Sequence, residues 1–176
     1  MGCPPMLNSG KIALMPHENT CAQVLVRDGF LCRYCGARLY LGPAVKLLDL
    51  CAPDLELYDR HGKAEPLRHL WATVDHVKPL QEGGTDCLEN LVACCVRCNS
   101  SMTGSLQGER AFAIEPGWTG YAECFLALAD RFQEELTETD LQWKRALEWA
   151  GVTANPIRVA SAIEELRETK GLKSVR

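Results

Sequence analysis

The chain has 176 residues, of which 47% are hydrophobic and 24% charged, and a formal net charge of −4. Length and composition of this kind belong to a folded globular protein with room for one ordinary core, and they exclude a disordered chain. The net acidity argues against a broad non-specific grip on nucleic acid, because that grip comes from Lys and Arg neutralising phosphates.

The charge is unevenly spread. Residues 1–104 carry ten Lys/Arg and eleven Asp/Glu, whereas residues 105–176 carry nine and twelve, so any nucleic-acid surface is local. Residues 1–17 contain three prolines and two glycines without periodicity and are expected to form an extended arm. They show no apolar run ending in a small-residue cleavage site, which points to a reducing cytoplasm. No stretch approaches the roughly 20 apolar residues of a membrane span. Under these conditions the ten cysteines are better read as metal ligands or buried thiols than as disulfides.

A short helix is expected from about Thr20 to Arg27, where Ala22, Val24 and Leu25 are apolar, and Asp28-Gly29 marks the following turn. Residues 38–70 mix the apolar run Val45 to Leu50 with the turn signals Pro53-Asp54 and His61-Gly62, and read as a folded insertion of short elements. From Trp71 to Val77, β-branched and aromatic residues suggest a strand. The turn signal Glu82-Gly83-Gly84-Thr85 and a second strand at Leu91 to Ala93 would complete a hairpin. After Pro116-Gly117 the pattern turns helical. Phe125, Leu128, Ala129, Phe132 and Leu136 recur three or four apart, a second helix is expected after Thr139, and a third would carry Val159, Ile163 and Leu166. Such stripes ordinarily enlarge a core.

Two cysteine pairs, Cys32-Arg33-Tyr34-Cys35 and Cys95-Val96-Arg97-Cys98, each enclose two residues. That spacing lets both thiolates of a pair turn toward one point, and two facing pairs make the tetrahedral sulfur shell of structural Zn²⁺. The gap between the pairs is far longer than in a simple zinc ribbon, so the metal would clamp a folded piece of chain. Cys3, Cys21, Cys51, Cys87, Cys94 and Cys124 lack such spacing. Only Cys95, and not its neighbour Cys94, stands two residues before Cys98, so Cys94 is expected to be a small core residue.

Between the pairs stand Val74-Asp75-His76-Val77-Lys78-Pro79, then Gly83-Gly84, then Leu88-Glu89-Asn90-Leu91-Val92, and Asn99 follows Cys98. Over roughly residues 24 to 104 this series resembles the HNH (ββα-metal) endonucleases. Those proteins present a cysteine pair, Asp-His near a strand end, a Pro, a Gly-Gly loop, Asn-Leu, and a second cysteine pair followed by Asn or His. The resemblance implies an α+β fold with a zinc-stabilised ββα-metal core. Its divisions would be an arm at 1–17, a nuclease domain at 18–104 with an insertion at about 39–70, and a helical C-terminal extension at 105–176.

The chemistry explains the residue types. Phosphodiester hydrolysis needs a base for water, and an imidazole titrates near physiological pH, which suits His76. It also needs positive charge beside the phosphate oxygens, which a hard divalent cation supplies. By resemblance, Asp75 and Asn99 would hold Mg²⁺ or Mn²⁺, and Asn90 would brace the loop and orient His76. An amide oxygen at position 99 favours a hard ion over a softer one.

The chain departs from the family pattern in one respect. Many HNH proteins carry Lys or Arg shortly after the last cysteine, but Ser100-Ser101-Met102-Thr103-Gly104 contains none. Phosphate contacts would fall to Arg33, Lys78, Arg97 or the Arg60/Lys63/Arg68 group. The implied activity is metal-dependent cleavage of DNA, with RNA as another possible substrate. The competing reading is a non-catalytic zinc module that binds nucleic acid or protein.

Overall fold

The computed structural model describes residues 18–58, 67–100 and 112–169. The N-terminal arm, Cys3, the His61-Gly62 turn, Arg60, Lys63 and residues 101–104 lie outside the described residues.

A two-stranded antiparallel hairpin carries the HNH-like residues. Strand β1 (Ala72–His76) pairs with β2 (Leu91–Cys95), Ala72 opposite Cys95 and His76 opposite Leu91, and Val77 N–H donates to Asn90 O at 2.8 Å just beyond the strand ends. All five residues of β2 are buried. Such an uninterrupted apolar strand needs cover on both faces, and helices α1 (Glu18–Arg27) and α3 (Val96–Ser100) both contact the hairpin.

The expected first helix and turn are present. Gly29 and Phe30 both adopt left-handed backbone conformations after α1, turning the chain back toward the hairpin. The joint is polar. The Asp28 carboxylate, buried at 6% exposure, accepts from Ala93 N–H of β2 at 2.8 Å and from the Arg27 guanidinium at 2.8 and 2.9 Å. Arg27 also donates to the Leu88 and Leu91 carbonyls. A buried carboxylate is tolerated where its lone pairs are satisfied in this way.

Residues 38–70 differ from the expected set of short elements, because ten of them form a regular helix, α2 (Gly42–Cys51), with Pro43 in its first turn. Proline is pre-organised for that position. Its residues Ala44, Val45, Leu47 and Leu48 are fully buried and α2 packs on α4 (Ala122–Ala129). An apolar run this dense hides its helical period.

Helix α4 (Ala122–Ala129) is shorter than the stripe from Phe125 to Leu136 suggests. Phe132 and Leu136 flank a 3-10 turn, Gln133–Glu135, yet still pack against the core. The chain must break there because Thr137 starts a new helix. Its hydroxyl accepts from Asp140 N–H while the Asp140 carboxylate accepts from Thr137 N–H, a capping box for α5 (Glu138–Trp149). Helix α6 (Arg158–Thr169) follows, with Leu166 fully buried and Val159 and Ile163 against the core. One apolar cluster joins residues of α1, α2, the hairpin, α4, α5 and α6, so the C-terminal helices share the core that supports the hairpin.

Candidate active site and cysteine cluster

Cys32, Cys35, Cys95 and Cys98 converge. Their sulfurs all lie within 4.8 Å of one another, with Cys35 and Cys95 at 4.0 Å although 60 residues apart. A tetrahedral ZnS₄ shell with Zn–S near 2.3 Å places sulfurs about 3.8 Å apart, so the set suits structural zinc. Backbone hydrogen bonds hold the first pair in place: Cys32 N–H to Ala37 O at 2.9 Å, Gly36 N–H to Cys32 O at 2.8 Å, and Arg33 N–H to Ala93 O at 2.9 Å, which docks the knuckle on β2. Hydrogen bonding from the Cys95 side chain draws the Cys32 thiol well below the usual range, with burial opposing and backbone N–H groups assisting. A thiolate is the form that binds a metal. Cys94 is fully buried outside this set, its sulfur 3.1 Å from Thr73 Oγ1, in keeping with a core role.

Side chains alternate across β1, which puts Thr73 and Asp75 on one face and His76 on the other. Thr73 Oγ1 accepts from Asn99 Nδ2 of α3 at 3.1 Å, so the Thr73 and Asp75 side faces that helix. The Asp75 carboxylate is held from two directions. Tyr34, between the two cysteines of the first knuckle, donates its hydroxyl at 2.9 Å, and His76 N–H donates at 2.8 Å. Burial and the Asp75 carboxylate both push the Tyr34 phenol far above its ordinary range, so Tyr34 remains a donor. A carboxylate offers about four lone-pair sites; these two bonds leave others open. Asn99, on α3, meets the same face of β1 through Thr73.

The His76 imidazole is about one-fifth exposed, and its Nε2 lies 2.7 Å from Asp86 Oδ1. The ring is neither sealed in packing nor loose in solvent. Asp86 lies in the turn after Gly83-Gly84, a position the HNH-like pattern does not mark.

Asn90 ties that turn together. Its Oδ1 accepts from Lys78 N–H at 2.8 Å, and its Nδ2 donates to Lys78 O at 2.9 Å and Thr85 O at 2.8 Å. The described contacts brace the loop and do not include the imidazole itself. Gly84 is required by the close approach this creates, since a Cβ there would stand 1.9 Å from Lys78 O. Gly83 ends a short 3-10 turn at φ 85°, where glycine is favoured.

Lys78 and Arg97 are exposed and Arg33 half-buried. Among the described residues none of the three forms a side-chain ion pair. All three flank the hairpin or the cysteine cluster.

The HNH endonuclease family model matches residues 64–104. This segment is an HNH domain. Comparisons with curated proteins and with solved structures gave no match. The HNH domain supports a nuclease-type activity with nucleic acid as partner. Its matched segment contains the hairpin, α3 and the second cysteine pair, but Cys32, Cys35, Tyr34 and Asp28 come from outside it. Among the described residues no helix is long and apolar enough to cross a membrane.

Proposed function

We propose that this chain is an endonuclease that hydrolyses DNA phosphodiester bonds, with His76 as general base. The observation that carries the reading is the His76–Asp86 pair. An imidazole that donates Nε2–H to a carboxylate keeps its lone pair on Nδ1, and no described residue makes a hydrogen bond to that nitrogen. Nδ1 is therefore the atom that takes the proton from the attacking water, and Asp86 fixes the ring and steadies the imidazolium that results. Asp86 acts as a positioning residue. Asn90 holds the loop that presents it, and Tyr34 keeps the Asp75 carboxylate aimed.

Asp75 and Asn99 are the residues that would hold Mg²⁺ or Mn²⁺, and such an ion supplies positive charge beside the phosphate and its leaving oxygen. Structural Zn²⁺ on the four cysteines belongs to the same reading. So do the divisions of the chain: a nuclease unit at 18–104 with its insertion at about 39–70, and a helical extension at 105–176 packed onto it.

The test incubates purified protein with plasmid DNA and, separately, structured RNA, in Mg²⁺, Mn²⁺ or EDTA, beside His76→Ala and Asp86→Ala variants. DNA cleavage that needs metal and His76, and that weakens about tenfold or more without Asp86, is expected. Equal cleavage by wild type and His76→Ala would sink the reading, and metal-independent binding without cleavage would favour the non-catalytic zinc module.

A further inference from the structure

A recess adjoins the start of β1. It has a volume of about 270 Å³ and lies where the start of β1 meets α2, the first residue of α3, and α5. Tyr58, Trp71 and Trp143 line it, and the Tyr58 and Trp71 rings are stacked, 5.8 Å between centroids and 11° between planes. None of the three is fully buried. Among the described residues Trp71 Nε1 has no hydrogen-bond partner, whereas buried indole N–H groups usually find one. At the polar side of the recess the Lys46 ammonium pairs with the Asp140 carboxylate at 3.0 Å. Aliphatic residues such as Leu41 and Val96 complete the wall, and beside them the flat rings and the donor–acceptor pair leave an opening.

Thr73 links the recess to the candidate site. That residue lines the recess and also receives Asn99 Nδ2 on its hydroxyl. Asp75 follows two residues along the same face, about 7 Å away at the rise of an extended strand, a separation that one nucleotide can span.

We infer that this recess takes one unstacked base of the DNA strand being cut, an inference that rests on the nuclease reading above. Aromatic surfaces hold bases whatever their sequence, because every base has a π-face. Thr139 and the Lys46–Asp140 pair stand on the polar side of the recess, where a base edge would come to lie. The charge balance agrees. A chain of net charge −4 with no Lys or Arg from Ser100 to Gly104 has little electrostatic hold on phosphates, and stacking replaces part of it. A base can enter only when out of its stack, so single-stranded or distorted sites are preferred.

The experiment uses the full chain carrying His76→Ala, so that strands are bound and not cut. Fluorescence anisotropy compares labelled hexadeoxyadenylate, a six-phosphate strand of abasic deoxyribose, and hexariboadenylate. The expected result is that the strand with bases binds roughly five- to a hundredfold more tightly than the abasic strand, and that adding Trp143→Leu removes most of that difference without weakening the abasic strand. Trp143→Phe, which keeps a ring, restores part of it and guards against a folding defect in the leucine variant. Equal binding of based and abasic strands, or equal weakening of both by Trp143→Leu, overturns the inference. Tighter binding of the ribose strand than the deoxyribose strand overturns its assignment to DNA. Cleavage by the protein with His76 intact is measured alongside. His76-dependent cutting with base-independent binding sinks the recess alone, and base-dependent binding without cutting sinks the nuclease reading alone.

Discussion

Replacing Asn90 with alanine removes three hydrogen bonds at 2.8 to 2.9 Å that close the loop between Lys78 and Thr85. Each such bond contributes about 1 kcal/mol net, and the freed groups at this half-buried site can turn to water, so no full desolvation penalty applies. The expected loss is therefore about 2 to 3 kcal/mol. With a urea slope near ~2 kcal/mol per molar, the unfolding midpoint in zinc-replete buffer falls by about 1 to 1.5 M. Activity suffers more than stability does, because the loop carries Asp86 and leads away from His76. A displacement of about 1 Å there costs on the order of a hundredfold in rate. Asn90→Asp sharpens the test: it keeps an acceptor for Lys78 N–H but sets a carboxylate oxygen against two carbonyls, so it should be no better than alanine. The reasoning fails if Asn90→Ala unfolds within about 0.5 kcal/mol of wild type and cleaves DNA at a similar rate.

Gly84→Ala should cost about 3 kcal/mol, since its Cβ meets the Lys78 carbonyl. Gly83→Ala, whose nearest neighbour is Lys78 Nζ at 3.6 Å, should cost only about 1 to 2 kcal/mol from its positive φ; melting temperatures in the reverse order would contradict the loop geometry. The purified protein should contain about one zinc per chain, and stripping it with a chelator should abolish cooperative unfolding, because the metal contributes about as much as a domain's whole stability; a chelated protein with an unchanged circular dichroism melt would refute the clamp. Thr137→Ala should lose about 1 kcal/mol through the α5 cap. Asp140 is partly desolvated, yet Thr137 N–H, Lys46 and the Thr137 hydroxyl outweigh burial and hold its carboxyl below the ordinary range. This stabilisation is therefore complete at neutral pH and is lost as pH falls below about 3.9 and through the depressed folded-state value. The gap between Thr137→Ala and wild type in urea should accordingly narrow at acid pH, and a constant gap would count against the linkage.

What the amino-acid order reveals depends on whether the relevant contact is periodic or distant. The cysteine pairs, the end of α1 at Asp28-Gly29, both strands and helix α6 rest on local spacing, and the structure contains them. Helix α2 was hidden because Val45 to Leu50 is apolar on nearly every side, which a buried strand would also show. Spacing alone overextends α4, because Phe132 and Leu136 keep helical intervals while lying beyond the helix end. Within the candidate site, Asp75, His76, Asn90 and Asn99 are recognisable from their order. The residues that hold them, Tyr34, Thr73 and Asp86, are not, because each acts through a hydrogen bond to a side chain 10 to 41 positions away. A tyrosine inside a cysteine knuckle and an aspartate after Gly-Gly-Thr were the only local hints.

The Tyr34 hydroxyl makes the four-cysteine cluster and the strand-end carboxylate parts of one mechanical unit. A hairpin excised at the boundaries of its recognisable motif and grafted onto another scaffold would arrive with half its sulfurs, without that phenol, and without the buried acid beneath Ala93. Shuffling of this module between proteins would thus have to carry the stretch from α1 through the first knuckle along with it.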